Sequence, residues 1–209
     1  PTMAVYGETG RFPLSVICKE RSIKFWLKIM KNDELPITQM YIDLCNNVND
    51  KCWAKRINSI IDHLGFTNIR TNFDSGINCF RSLQTRLRDQ FIQEWKESIT
   101  SMSKLDQYCI FKTEFKFEPY LVYISNDKLR KCLTQFGLSS HTLDIEVGRY
   151  NNTPRENRLC KFCSQNVVES EYHFLLCCSL YSYLRREYKG PCAWPNIHRF
   201  TNLMYTVNT

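Results

Sequence analysis

This 209-residue sequence predicts a mainly α fold: a helical domain over residues 1–148, followed by a small cysteine- and histidine-containing module over residues 149–209. Three observations predict it. Apolar residues recur at three- and four-residue steps along most of the first 150 positions, the period of a helix with one buried face. Alternation of the kind a half-buried strand needs is confined to Phe111, Phe115 and Phe117. Between Cys160 and Cys178, cysteines and one histidine cluster at spacings that suit a metal-stapled module.

Taken in order, Ile23, Trp26, Leu27 and Met30 mark an amphipathic helix over Lys19 to Lys31. Ile37 to Asn46 forms a second helix, with Pro36 at its first turn, where the missing N–H costs nothing. Cys52 to Leu64 repeats the pattern, and Gly65 stands where a left-handed stop belongs. Asp74 or Ser75 caps a long helix reaching about Ser101, with a stripe of Ile77, Phe80, Leu83, Leu87, Phe91, Ile92, Trp95 and Ile99. Ser103 to Lys116 begins as a helix and then alternates, so its type stays open. Asn126 to Phe136 and Ser140 to Val147 are short helices, and a polar loop follows at 151–154. Glu169 to Tyr188 is helical in composition up to Gly190-Pro191, and a last helix covers Pro195 to Tyr205.

Composition narrows the class. Apolar residues make up 43% and charged residues 23%, which supports a core and excludes wholesale disorder. No apolar run approaches the roughly 20 residues of a membrane span. The 11 cysteines are an odd number, and Cys18, Cys45, Cys52, Cys79, Cys109 and Cys132 stand singly, as small buried hydrophobes do. An intracellular location, nucleus or cytoplasm, is expected rather than a secreted disulfide framework. The net charge of +7 inclines the chain toward anionic partners.

Cys160 and Cys163 form C-x2-C, a spacing that lets one tight turn aim two sulfurs at a point. Zn²⁺ takes four nitrogen or sulfur ligands tetrahedrally, so a second pair must follow, and His173 with Cys177 or Cys178 supplies it. Helix spacing leans to Cys177, since residues four apart share a face. His173 and Cys178 meet only if the helix starts late, tightens or breaks near Leu176. With four ligands and no open position, the one expected zinc ion is structural. Glu169 and Glu171 either orient the second ring nitrogen of His173 or serve as helix-start carboxylates, the second being favoured for Glu169.

The run Cys160-Lys161-Phe162-Cys163, then Val168-Glu169-Ser170-Glu171-Tyr172-His173-Phe174-Leu175-Leu176, then Cys178, Tyr181 and Arg185, resembles the zinc-binding tail of LINE-type (non-LTR) retrotransposon reverse transcriptases. That resemblance makes Cys178 the fourth ligand and Cys177 the variable residue. Ser179 departs from it, standing where the family usually has proline. Val5-Tyr6-Gly7-Glu8-Thr9-Gly10-Arg11-Phe12-Pro13-Leu14, followed by Ile23-Lys24-Phe25-Trp26, is similar to a segment downstream of the polymerase in many such elements. The catalytic Asp-Asp pair of an RNA-directed DNA polymerase is absent, so the resemblance implies a fragment without its own polymerase site.

The function expected on these grounds is binding of RNA or single-stranded DNA, with the polymerase portion of the same polyprotein as neighbour and no membrane involvement. Arg149, Arg155, Arg158, Lys161, Arg185 and Arg186 are the candidate phosphate contacts. Tyr150, Phe162, Tyr181 and Tyr183 are candidate stacking rings, with the alternative, favoured for Phe162 and Phe174, of packing under the metal. The rival reading is a zinc-stapled helical scaffold for protein interaction. An independent enzyme ranks last: His63, His141 and His198 read as isolated, and no nucleophile–base pair can be assembled.

Overall fold

A computed structural model describes residues 1–32, 34–46, 51–71 and 79–187. The proposed cap at Asp74 or Ser75, Ile77, the stop at Gly190-Pro191, His198 and the helix at Pro195 to Tyr205 lie outside the described residues. The fold is mainly α, and among the described residues the only β pairing is two isolated bridges. The chain forms two compact units, Arg11–Lys96 and Pro1–Gly10 with the described residues from Glu97 onward.

The Arg11–Lys96 unit contains α2 (Leu14–Met30), α3 (Pro36–Asn46), α4 (Trp53–His63), the single turn α5 (Asn68–Thr71) and most of α6 (Phe80–Thr100). Ile23, Trp26, Ile57, Ile61 and Leu83 are essentially fully buried, and Leu87, Phe91 and Trp95 continue the α6 stripe at four-residue steps. Trp26, Tyr41 and Trp53 meet edge-to-face in sequence, at 6.4 and 5.9 Å between ring centroids. Gly65, at φ 83°, ends α4 as its position predicts. Helix α2 begins at Leu14, a turn or more before Lys19, because Pro13 in extended conformation sets the start.

The other unit opens with α1 (Thr2–Thr9), which periodicity did not single out. After α6 come a 3-10 turn at Ser103–Leu105, α7 (Asp106–Phe111), the single turn α8 (Tyr120–Tyr123), α9 (Asp127–Gly137) and α10 (Asp144–Tyr150). The ambiguous Ser103–Lys116 stretch is therefore helical up to Phe111. Phe117 then makes an antiparallel bridge with Thr9. Asn126 caps α9 by accepting from the N–H groups of Lys128 and Leu129. The expected Ser140–Val147 helix lies further along, starting at Asp144.

Gly10 ties the start of the chain to this unit. It ends α1 in the left-handed region, at φ 59°, and a Cβ there would lie 2.5 Å from the backbone nitrogen of Phe117. Both constraints demand glycine. Gly10→Ala is expected to cost at least about 1–2 kcal/mol from the left-handed backbone alone, with the clash added. A drop in the urea midpoint checks this.

The six lone cysteines are not core residues: Cys18 and Cys132 are exposed, and Cys45, Cys52, Cys79 and Cys109 are partly exposed. All are free thiols. No helix among the described residues is long and apolar enough to cross a membrane.

Candidate metal centre

Residues 158–169 fold back on themselves as a short β-like turn. Leu159 and Val168 form an antiparallel bridge, Cys160 N–H donates to Val167 O at 2.9 Å, and Glu169 N–H donates to Arg158 O at 2.9 Å. The connection reverses through Asn166 at φ 53°, a left-handed position that asparagine tolerates. This places Cys160, which is buried, and Cys163, which is partly exposed, on one side of the turn.

His173 and Cys178 come from the segment that composition reads as one helix, Glu169 to Tyr188. It is not one helix. His173–Cys177 forms a π-turn, closed by Cys178 N–H donating to His173 O at 2.7 Å, five residues back. Cys178 then leaves helical geometry at ψ 124°, a 3-10 turn follows at Ser179–Tyr181, and α11 covers Ser182–Glu187. An α-helix carries residues five apart about 140° round its axis. The wider π-turn brings them back onto one face. It is Cys178, and not the Cys177 that helix spacing favoured, whose sulfur is brought to Cys160, Cys163 and His173.

The four donor atoms of Cys160, Cys163, His173 and Cys178 all lie within 4.8 Å of one another, a cluster able to hold a metal ion. Cys160 Sγ and Cys178 Sγ are 3.9 Å apart, and Cys163 Sγ lies 3.4 Å from His173 Nε2. Cys178 is fully buried and His173 nearly so. Burial pushes the Cys160 thiol up to about 11 and holds His173 below its ordinary value, which keeps the imidazole neutral. The backbone N–H of Gln165 holds the Cys163 thiol below its ordinary value. Cys177 is partly exposed, and burial raises its thiol.

Surrounding groups brace this cluster. Arg185 donates to Leu175 O at 3.3 Å and also to Cys178 O, satisfying carbonyls that the end of the π-turn leaves open. Tyr181 packs edge-on against Phe174 at 4.8 Å. Glu169 caps a different helix: its carboxylate accepts from Asp144 N–H at 2.7 Å, at the start of α10. Glu171 accepts from Ser139 Oγ at 3.1 Å and lies 2.9 Å from His141 Nε2. Burial raises its carboxyl, but the hydrogen bonds from His141 and Ser139 outweigh this and hold it below the ordinary range. His141 is therefore not isolated. The pairing spans 30 residues, which no local spacing could reveal.

The candidate phosphate contacts divide. Arg158 donates to Thr153 O at 2.9 Å and Ile145 O at 2.8 Å, so its guanidinium holds the turn to α10. Arg149 is held by Ser103 O at 2.9 Å and by Glu146 at 3.1 Å. Lys161 pairs with Asp144 at 2.8 Å but remains largely exposed, Arg155 lies 4.0 Å from Asp106, and Arg186 is exposed. Phe162 is 59% exposed, so of the two phenylalanines expected beneath the metal only Phe174 packs beside the knuckle. Tyr150 and Tyr183 are exposed. No protein-family model matches the chain, and neither a curated protein nor a solved structure matches it.

Proposed function

We propose that the chain is a zinc-stabilised, nucleic-acid-binding C-terminal region of a LINE-type retrotransposon reverse transcriptase. The observation that carries the zinc reading is the donor geometry. Metal–ligand distances of about 2.3 Å to sulfur and 2.0–2.1 Å to nitrogen, set tetrahedrally, give edges of about 3.8 Å between sulfurs and about 3.6 Å between sulfur and nitrogen. The 3.9 and 3.4 Å separations fit that tetrahedron. Three thiolates and one neutral imidazole leave no open coordination position, so the ion supplies folding energy and no catalysis. The motif resemblance supports the retroelement reading, and Arg185 and Tyr181, both part of it, act here as braces.

Nucleic-acid binding by this unit rests on the exposed cations Arg155, Lys161 and Arg186 and the exposed rings of Phe162 and Tyr183. Arg149, Arg158 and Arg185 serve the fold instead. That division is what favours the second reading, a zinc-stapled scaffold for a protein partner. One experiment separates the two. The purified chain should carry one zinc ion by mass spectrometry and bind RNA or single-stranded DNA with affinity that falls steeply as salt rises. Zinc without nucleic-acid binding leaves the scaffold, and absence of zinc overturns both.

A further inference from the structure

We infer that α2 and the start of α6 form a groove for single-stranded nucleic acid, recognised by charge and stacking without sequence preference. This surface belongs to the Arg11–Lys96 unit and does not depend on the metal centre. A cavity of about 550 Å³ is lined by Arg21, Lys24, Phe25, Lys28, Lys31 and Phe80, with Leu27 at its floor. Arg21, Lys24, Lys28 and Lys31 stand three, four and three residues apart, which places them within about 80° of one another round the helix and over about 15 Å of its length.

Among the described residues none forms an ion pair with Arg21, Lys24, Lys28 or Lys31. All four cations are exposed. Neighbouring like charges three and four residues apart each destabilise a helix slightly. The one carboxylate on α2, Glu20, borders the stripe one turn before Lys24, but its oxygens are engaged by Arg88 at 2.6 Å and Gln84 at 3.2 Å. The helix dipole accounts for cations in the last turn, hence for Lys28 and Lys31, but not for Arg21 and Lys24 in the body of α2. The unit's sequence carries 14 Lys and Arg against 9 Asp and Glu, most of the chain's excess positive charge.

Phe25 lies among the cations, 47% exposed. Trp53 holds its ring edge-on at 5.7 Å, so an exposed aromatic face is fixed rather than free to fold away. Among the described residues that line it, no side chain is a carboxylate, hydroxyl or amide. A ligand must therefore bring its own negative charge and a flat apolar surface. Unpaired bases on a phosphate backbone supply both, and stacking tolerates any base. Bases stacked and paired inside a duplex present no free face to the exposed Phe25 ring. An acidic amphipathic helix would instead seek a row of aliphatic residues, whereas the accessible apolar groups here are rings.

The test uses the full metal-loaded chain and a fluorescein-labelled single strand of mixed sequence, about 20 nucleotides long, followed by anisotropy across a salt series. Lys24→Glu with Lys28→Glu should weaken binding at least about tenfold and flatten the slope of log affinity against log salt by about 1.4, the value for two lost phosphate contacts. Phe25→Leu should weaken binding about fivefold or more with the slope unchanged. Lys128→Glu with Lys131→Glu, on the exposed face of α9, makes the same change in net charge and should move affinity less than about twofold. Lys24→Gln with Lys28→Gln gives a neutral version in case charge reversal disturbs the helix. Circular dichroism and zinc content identify a variant that has lost its fold or metal. Equal losses in the α2 and α9 variants overturn the groove, as does unchanged binding in the α2 variants. Duplex of the same sequence binding as tightly as the single strand overturns the proposed ligand. So does an acidic amphipathic peptide that displaces the probe better than unlabelled strand.

Discussion

Cys178→Ser is expected to strip the chain of its metal, while Cys177→Ser leaves it loaded. Cys178 Sγ lies 3.9 Å from Cys160 Sγ inside the donor cluster, whereas Cys177 is no part of it. A serine hydroxyl at position 178 is a hard, weakly acidic donor in place of a thiolate. It also leaves a fully buried polar atom short of its partner. Structural zinc in small modules is worth about 10–16 kcal/mol of apparent binding energy. Even at free metal about a thousandfold above the dissociation constant, binding to the folded state alone contributes about 4 kcal/mol. Loss of that stabilisation should lower the melting temperature of the metal-bearing unit by about 10 °C or more. Cys177→Ser, at a partly exposed site, should change stability by less than about 1 kcal/mol. Metal content by mass spectrometry and calorimetric melting of both variants give the answer. Metal lost from Cys177→Ser and kept in Cys178→Ser would restore the α-helical spacing and remove the π-turn from the argument.

That π-turn marks the boundary of what the sequence makes legible. Where local rules act alone, reading succeeds: the helix expected from Asn126 forms as α9, Gly65 ends α4, Pro36 opens α3, and Leu83, Leu87, Phe91, Trp95 and Ile99 of the α6 stripe are buried as its period requires. From Glu169 onward helical composition competes with the convergence of four ligands, and the segment breaks into a π-turn, a 3-10 turn and a short α-helix. A period-based reading cannot see that a ligand spacing is being served. Motif resemblance pointed to Cys178 because it compares positions rather than angles. Helix α1 escaped notice for another reason: its buried residues are Ala4, Gly7 and Glu8, a set with no apolar stripe. The pairing of His141 with Glu171 and the consumption of Arg158 and Arg185 by carbonyl oxygens are tertiary facts, invisible to counts of charge.

Lys112→Met should cost about 3–5 kcal/mol near neutral pH, because it leaves buried carboxylates without their cation. Lys112 and Glu118 form an ion pair with side chains only 2% and 6% exposed, and Lys112 Nζ also donates to Lys116 O at 2.7 Å. Glu118 N–H donates to Glu8 O at 2.9 Å. Glu8 is itself buried, and its carboxylate accepts from Tyr120 OH at 2.6 Å. Burial raises the Glu8 carboxyl above its ordinary value, with Tyr120 and Lys112 pulling it back down. A carboxyl whose folded value is raised takes up a proton more readily in the folded state. Stability from this group is therefore best on the acid side of the window between the ordinary and the raised value, and it declines as pH rises through that window. Removing the ammonium raises the Glu8 carboxyl further, so the deficit of Lys112→Met should shrink as pH falls from about 7 to about 5. Adding Glu118→Leu to Lys112→Met should recover much of the loss, since an apolar pair needs no compensating charge. Urea midpoints of the two variants at both pH values measure the effect. A deficit below about 1 kcal/mol at neutral pH, or one that grows on acidification, would show that the buried ammonium does not hold these carboxylates in the fold.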